Sequence, residues 1–157
     1  MGKYAKILIM VATCLSAGYF AGMATQSSVQ TWFTTIQKPF FNPPSWVFAP
    51  VWTLLYICMG IAAGLVWNRL GRREGARKAL LLFAAQMVLN ILWSFLFFGL
   101  RNPFLALIEI ILLWLIIYET MLAFRLISTA AGRLFIPYLL WVSFAAILNG
   151  AIWWLNR

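Results

Sequence analysis

A chain of 157 residues that is 64% hydrophobic and only 10% charged is not built for water, because a soluble domain of this size carries about 25% charged residues. The formal net charge of +9 invites a nucleic-acid reading, so the placement of the charges has to decide. Histidine and aspartate are absent, which excludes a Ser-His-Asp triad, a histidine-held metal and the usual haem axial ligand.

Spanning a bilayer core of about 30 Å takes roughly 20 mostly apolar residues per helix, and five segments qualify: residues 5–25, 46–67, 79–100, 104–124 and 134–155. The intervening pieces are short. The fold class predicted is all-α, a single integral membrane domain made of a five-transmembrane-helix bundle, since only helices and closed barrels satisfy their backbone groups in hydrocarbon. The runs are continuous and do not alternate, which excludes a β-barrel.

In segment 1, Lys3 and Lys6 precede the apolar run "ILIMVATCLSAG" as in a secretory signal. The apolar character continues through "YFAGMA", longer than a signal core requires, so it reads as a retained helix. Cys14 falls in this span and Cys58 in the next, where free thiols act as small hydrophobes. Gly18 with Gly22, and Gly60 with Gly64, form GxxxG pairs that let helix backbones approach closely, first of all within the bundle.

Residues 26–45 form the longest loop, and a loop of that length in so compact a bundle is usually functional. Pro39, Pro43 and Pro44 stiffen it, Pro44 starts the second span, and Pro50, a turn further in, is expected to bend that helix and free a carbonyl.

With five spans, Lys3, Lys6, Arg69, Arg72, Arg73, Arg77, Lys78, Arg125 and Arg133 share one side, against Lys38, Arg101 and Arg157 on the other. This bias predicts the N-terminus inside and the C-terminus outside, with a bacterial cytoplasmic membrane as the default location. The basic stretch "NRLGRREGARK" is then a topology signal facing anionic lipid, and no nucleic-acid partner is expected.

In segment 3, Gln86, Asn90 and Ser94 recur at i, i+4 and i+8 and share one face. Such a stripe points into the bundle, to bond neighbouring helices or to line a cavity. Segment 4 carries Glu119, near enough its inner end to reach water or Arg125, and the deeper Glu109, an intramembrane carboxylate and so a functional candidate. Tyr138, Trp141, Ala145, Asn149 and Ile152 of segment 5 fall within about 80° of one another, and Trp52, Tyr56, Met59, Ala63 and Trp67 of segment 2 within a similar arc. If these faces meet segment 3, they enclose a hollow walled by rings and a few amides, suited to a flat, mostly apolar ligand. Trp32, Trp67, Trp153 and Trp154 lie near span ends as an aromatic belt, whereas Trp52, Trp93, Trp114 and Trp141 are deeper.

The stretches "WFTTIQKPFFNPPSWVFAPVWTLLY", "FAAQMVLNILWSFLFFG", "NPF" and "IPYLLWVSFAAILN", in this order, resemble the tryptophan-rich sensory protein and translocator protein family. The resemblance implies a five-helix bundle, often a homodimer, whose pocket under the first long loop takes porphyrins, sterols in animal members and benzodiazepine-type drugs. It places Trp52, Gln86, Asn90, Trp141 and Ala145 in that pocket, with Trp46 and Pro44 near its mouth. Sterol binding is not expected, because the first basic residue after Tyr138 is Arg157 and the sterol motif wants one within about five positions.

The function expected from faces and resemblance together is a membrane receptor or handling protein for a tetrapyrrole of the protoporphyrin type, contributing to its transport or regulation. The tetrapyrrole is a ligand; no cofactor and no metal are expected. Trp52 and Trp141 stack on the macrocycle, Gln86 and Asn90 bond its polar edge, Lys38 meets a propionate at the mouth, and Tyr56, Trp93, Tyr138 and Asn149 complete the ligand-binding set. Two alternatives stand beside this. One is light-dependent porphyrin degradation, in which Trp52 and Trp141 donate electrons and are the catalytic pair. The other is a transporter of another flat apolar ligand, proton-linked through Glu109.

Overall fold

The computed structural model describes residues 1–157 and is all-helical, without strands. Five long helices are apolar enough to cross a membrane: α1 (Lys3–Gln30), α2 (Phe48–Trp67), α3 (Ala76–Ser94), α4 (Pro103–Ile127) and α5 (Ile136–Asn156). Short helical pieces extend them at Trp32–Thr35, Ser45–Val47, Phe95–Gly99 and Thr129–Leu134.

The ends follow local chemistry. Asn102 caps α4 by accepting the Leu105 N–H at 3.1 Å, with Pro103 in the first helical position, where a missing N–H costs nothing. Ser128 accepts the Ala131 N–H and so starts the turn leading into α5. Gly75, at φ +84°, supplies the left-handed residue that launches α3.

Two expectations need correcting. α1 runs five residues past 25, because its serines and threonines fold their hydroxyls onto carbonyls of their own or a neighbouring segment: Thr25 donates to Ala21 O, and Ser28 to Phe98 O. With Trp32–Thr35 also helical, only Thr31 and residues 36–44 of the supposed loop lie outside a helix. Pro50 is not a turn inside α2. A 3₁₀ turn at Ser45–Val47 delays the helix start to Phe48, so Pro50 is its third residue, at a position whose N–H has no intrahelical partner. Nothing there requires a bend.

α1 packs along α2, and α4 closes the back of the bundle against α3 and α5. The glycines explain how close the first pair comes. A Cβ at Gly60 would fall on the backbone of Val11, one at Gly64 on that of Ile7, and one at Gly18 on the Tyr56 ring. Three of the four GxxxG glycines therefore work inside the bundle, whereas a Cβ at Gly22 would meet nothing. At the end that carries the basic loops, Phe83 and Phe124 stack at 5.9 Å with Phe135 edge-on to both. That end is filled, and the hollow lies at the other.

Candidate functional site

At the end of the bundle away from the N-terminus, α1, α2, α5 and the last turns of α3 diverge around a cavity of about 600 Å³. Its walls are built by position along each helix. The second half of α1 contributes Gly18, Tyr19, Gly22, Met23 and Gln26; the start of α2 contributes Phe48, Ala49, Trp52 and Tyr56; α5 contributes Trp141, Phe144, Ala145, Leu148 and Asn149. α3 reaches the cavity with Trp93 and Ser94, then widens into a π turn over Phe95–Gly99, closed by Leu100 N–H on Phe95 O at 2.7 Å. A π turn shifts the register of the residues that follow, and here the consecutive Phe97 and Phe98 both reach the wall. Trp93 stacks on Phe97 at 5.2 Å, and Phe97 meets Phe98 edge-on at 4.8 Å.

Beneath the cavity lies a directed hydrogen-bond chain. The Tyr56 hydroxyl donates to Asn90 Oδ1, Asn90 Nδ2 donates to the Tyr138 oxygen, and the Tyr138 hydroxyl donates to Gln86 Oε1, each at 2.7 Å. Gln86 Nε2 ends the chain on Met59 Sδ at 3.8 Å. One polar stripe on α3 thus ties α2 to α5 and anchors Tyr56. On that ring Trp52 stacks at 5.5 Å and 29°, and Trp52 also meets Tyr138 edge-on. The amide of Asn149 is spent too, accepting from Trp93 Nε1 at 3.0 Å and donating to Pro103 O at 2.8 Å. Trp141 differs: its ring sits against Phe48 and Phe144, and its Nε1–H is buried without an acceptor. It is an unspent donor on the wall of an aromatic cavity.

Of the residues singled out in the sequence, Trp52, Tyr56, Trp93, Trp141, Ala145 and Asn149 meet on the wall. Gln86, Asn90 and Tyr138 are buried in the chain below it and do not reach it. Lys38, Pro44 and Trp46 also lie off the wall. The Lys38 ammonium donates to Phe33 O at 2.7 Å and Ile36 O at 3.0 Å, so it braces the rim from behind Phe33. Trp46 is 74% exposed. A second tether holds the loop to α5, where the Asn156 side chain both accepts from Gln37 N and donates to Gln37 O. Trp114 links α4 to α5, its Nε1 donating to Ser143 Oγ at 2.7 Å.

Sequence reasoning missed the whole α1 wall and the phenylalanines. α1 shows no apolar stripe because most of its surface is exposed and only Cys14, Ala21 and Ser28 are buried. The signal available was Gly18 and Gly22, a strip without side chains on which a ring can rest. Both glycines line the cavity.

The TspO/MBR family model matches residues 10–155. The chain belongs to that family. It is 41% identical over 150 residues to the Tryptophan-rich protein TspO of Chlorobaculum tepidum, covering 96% of this chain and 95% of that one. A Tryptophan-rich protein TspO of Archaeoglobus fulgidus is 40% identical over 151 residues, covering 96% and 97% respectively. The Translocator protein of Sus scrofa is 41% identical over 123 residues, covering 78% and 73%. With its five spans, this TspO/MBR member is an integral membrane protein.

Proposed function

We propose that the protein binds a flat tetrapyrrole of the protoporphyrin type in the cavity between α1, α2, α3 and α5, holding it for transport or regulation. The observation that carries this is the wall itself, with the indoles of Trp52, Trp93 and Trp141 and the rings of Phe97, Phe98 and Phe144 around about 600 Å³. Small-ligand sites span about 300–1,000 Å³, apolar with few polar groups, and ring faces reward planar guests. The names sensory protein and Translocator protein borne by relatives suit a protein that captures a ligand and signals or passes it on. By the charge bias, the cavity opens toward the outer side.

On this reading Trp141 Nε1–H meets a carbonyl or carboxylate of the guest, while Gln86, Asn90 and Tyr138 hold the floor. Titrating the detergent-solubilised protein with protoporphyrin, followed by tryptophan fluorescence, is expected to show saturable quenching. Trp141→Phe keeps a ring and removes the donor, so affinity is expected to fall about fivefold to tenfold, one hydrogen bond being worth about 1 kcal/mol. Trp141→Ala loses more. Equal affinity in wild type and Trp141→Ala would dismiss the proposal.

A further inference from the structure

The aromatic cavity is closed on most sides by contacts that can be named. Below it, a Cβ at Gly18 would fall on the Tyr56 ring, and farther down Gly60 and Gly64 bring the backbones of α1 and α2 together. Above it, the loop of residues 36–44 is tied to α5. Gln37 shares two hydrogen bonds with the Asn156 side chain, at 2.9 and 2.8 Å, and Phe41 packs edge-on against Phe144 of the wall at 6.2 Å. The wall residues from α3 and α5 are all buried or half-buried.

The exposed part of the wall is confined to α1 and the entry into α2. Leu15, Tyr19, Gly22 and Met23 stand on one side, Ala49 and Thr53 on the other. Tyr19 is 75% and Met23 62% exposed, and a Cβ at Gly22 would meet nothing. The two helices run in opposite directions, so one turn above the Gly18 and Tyr56 contact Gly22 is level with Trp52 and Thr53. Sealed below that contact and open above it, the pair leaves a slit.

Depth decides what the slit faces. Lys6 lies over the Trp67 ring at 5.6 Å, a basic and aromatic pair that marks the inner boundary of the membrane. A hydrocarbon core of about 30 Å is crossed in about 20 helical residues from there, ending near Gln26. Tyr19, Gly22 and Met23 therefore stand among the acyl chains of the outer leaflet, below the water boundary.

We propose that the guest enters and leaves the cavity sideways, from the outer leaflet, through the slit between α1 and α2. The inference rests on the tetrapyrrole reading above and adds the source of the ligand, which is the lipid and not the external water. A flat ring system moving edge-on needs a slot with little side chain at its lips, and Gly22 and Ala49 supply it. Passage through the loop would break both Gln37 bonds and the Phe41 contact. Passage through the slit breaks none of these, and the hydrogen bond that joins the first helix to the end of the second, Asn68 Nδ2 to Lys3 O, lies at the far end of the pair.

The test uses the full-length protein in phosphatidylcholine vesicles, carrying Cys14→Ala and Cys58→Ala, with new thiols at the two lips from Gly22→Cys and Thr53→Cys. A bismaleimide joins the lips, and the same protein before bridging is the reference. Protoporphyrin is delivered from vesicles of the same lipid, and tryptophan quenching is followed by stopped flow. Bridging is expected to slow entry and release alike by about tenfold or more, leaving affinity within about twofold. A second protein, bridged between Gln37→Cys and Asn156→Cys to lock the loop, is expected to bind at an unchanged rate. Entry at full speed past a bridged slit, or entry slowed by the loop bridge, overturns the proposal. So does a bridged slit that weakens affinity by quickening release alone. Absence of saturable quenching before any bridging is a different failure: it defeats the tetrapyrrole reading and takes the entry route with it.

Discussion

Gly60→Leu is expected to separate α1 from α2 and leave no monodisperse protein in mild detergent. The reason is geometric: even a Cβ at Gly60 collides with Val11 Cα and N, which are backbone atoms and cannot rotate away. Inserting side-chain volume into a well-packed contact costs about 1–3 kcal/mol when neighbouring side chains can give way, and here the helix itself must move. Gly60→Ala is therefore expected to lose at least about 3 kcal/mol. Gly64→Ala is expected to do the same against Ile7. Gly22→Ala is the control. Its Cβ meets nothing, and a helical glycine replaced by alanine gains up to about 1 kcal/mol in propensity. Size-exclusion profiles and thermal unfolding of the four variants check the ranking; a Gly60→Leu protein as monodisperse as wild type would contradict the interface described here.

Asn90→Leu is expected to be the most damaging single change outside the α1–α2 contact. Leucine is close to asparagine in volume, so packing is largely kept while two 2.7 Å hydrogen bonds vanish and the Tyr56 hydroxyl loses its acceptor. A bond between membrane helices is worth about 0.6–1.7 kcal/mol and a stranded buried hydroxyl costs about 1–3 kcal/mol, so a loss of about 2–4 kcal/mol follows. The double variant Asn90→Leu with Tyr56→Phe removes the stranded group and is expected to recover part of this, a non-additivity that a double-mutant cycle reads directly. Because Trp52 rests on the Tyr56 ring, the single variant should also bind protoporphyrin more weakly. An Asn90→Leu protein with wild-type stability would mean that the floor network holds nothing together.

Much of this was legible in the sequence because the bilayer imposes simple rules. Unbroken apolar runs become helices, and the α3 stripe Gln86, Asn90 and Ser94 had to face inward. Which role the stripe plays could not be read from spacing. Of the three, only Ser94 reaches the cavity, and the two amides meet tyrosine hydroxyls on other helices, so the contacts that decide their role are tertiary. Lys38 shows the same limit. Its charge suggested a ligand propionate, and spacing could not show that two of its three N–H donors rest on the carbonyls of Phe33 and Ile36. The π turn after Ser94 was equally invisible, since no glycine or proline marks its beginning, and it is what lets two adjacent phenylalanines serve one wall. The α1 wall escaped because a periodicity argument looks for apolar side chains, whereas part of α1's contribution is their absence at Gly18 and Gly22.

The most direct test of the central claim is a structure of the protein solved with protoporphyrin bound. The macrocycle is predicted to lie within the α1, α2, α3 and α5 cavity, in van der Waals contact with Trp52 and Trp141, with an oxygen of the ligand within hydrogen-bond distance of Trp141 Nε1. A porphyrin seated on the lipid-facing surface or at the basic loops, with the aromatic cavity empty, would contradict it.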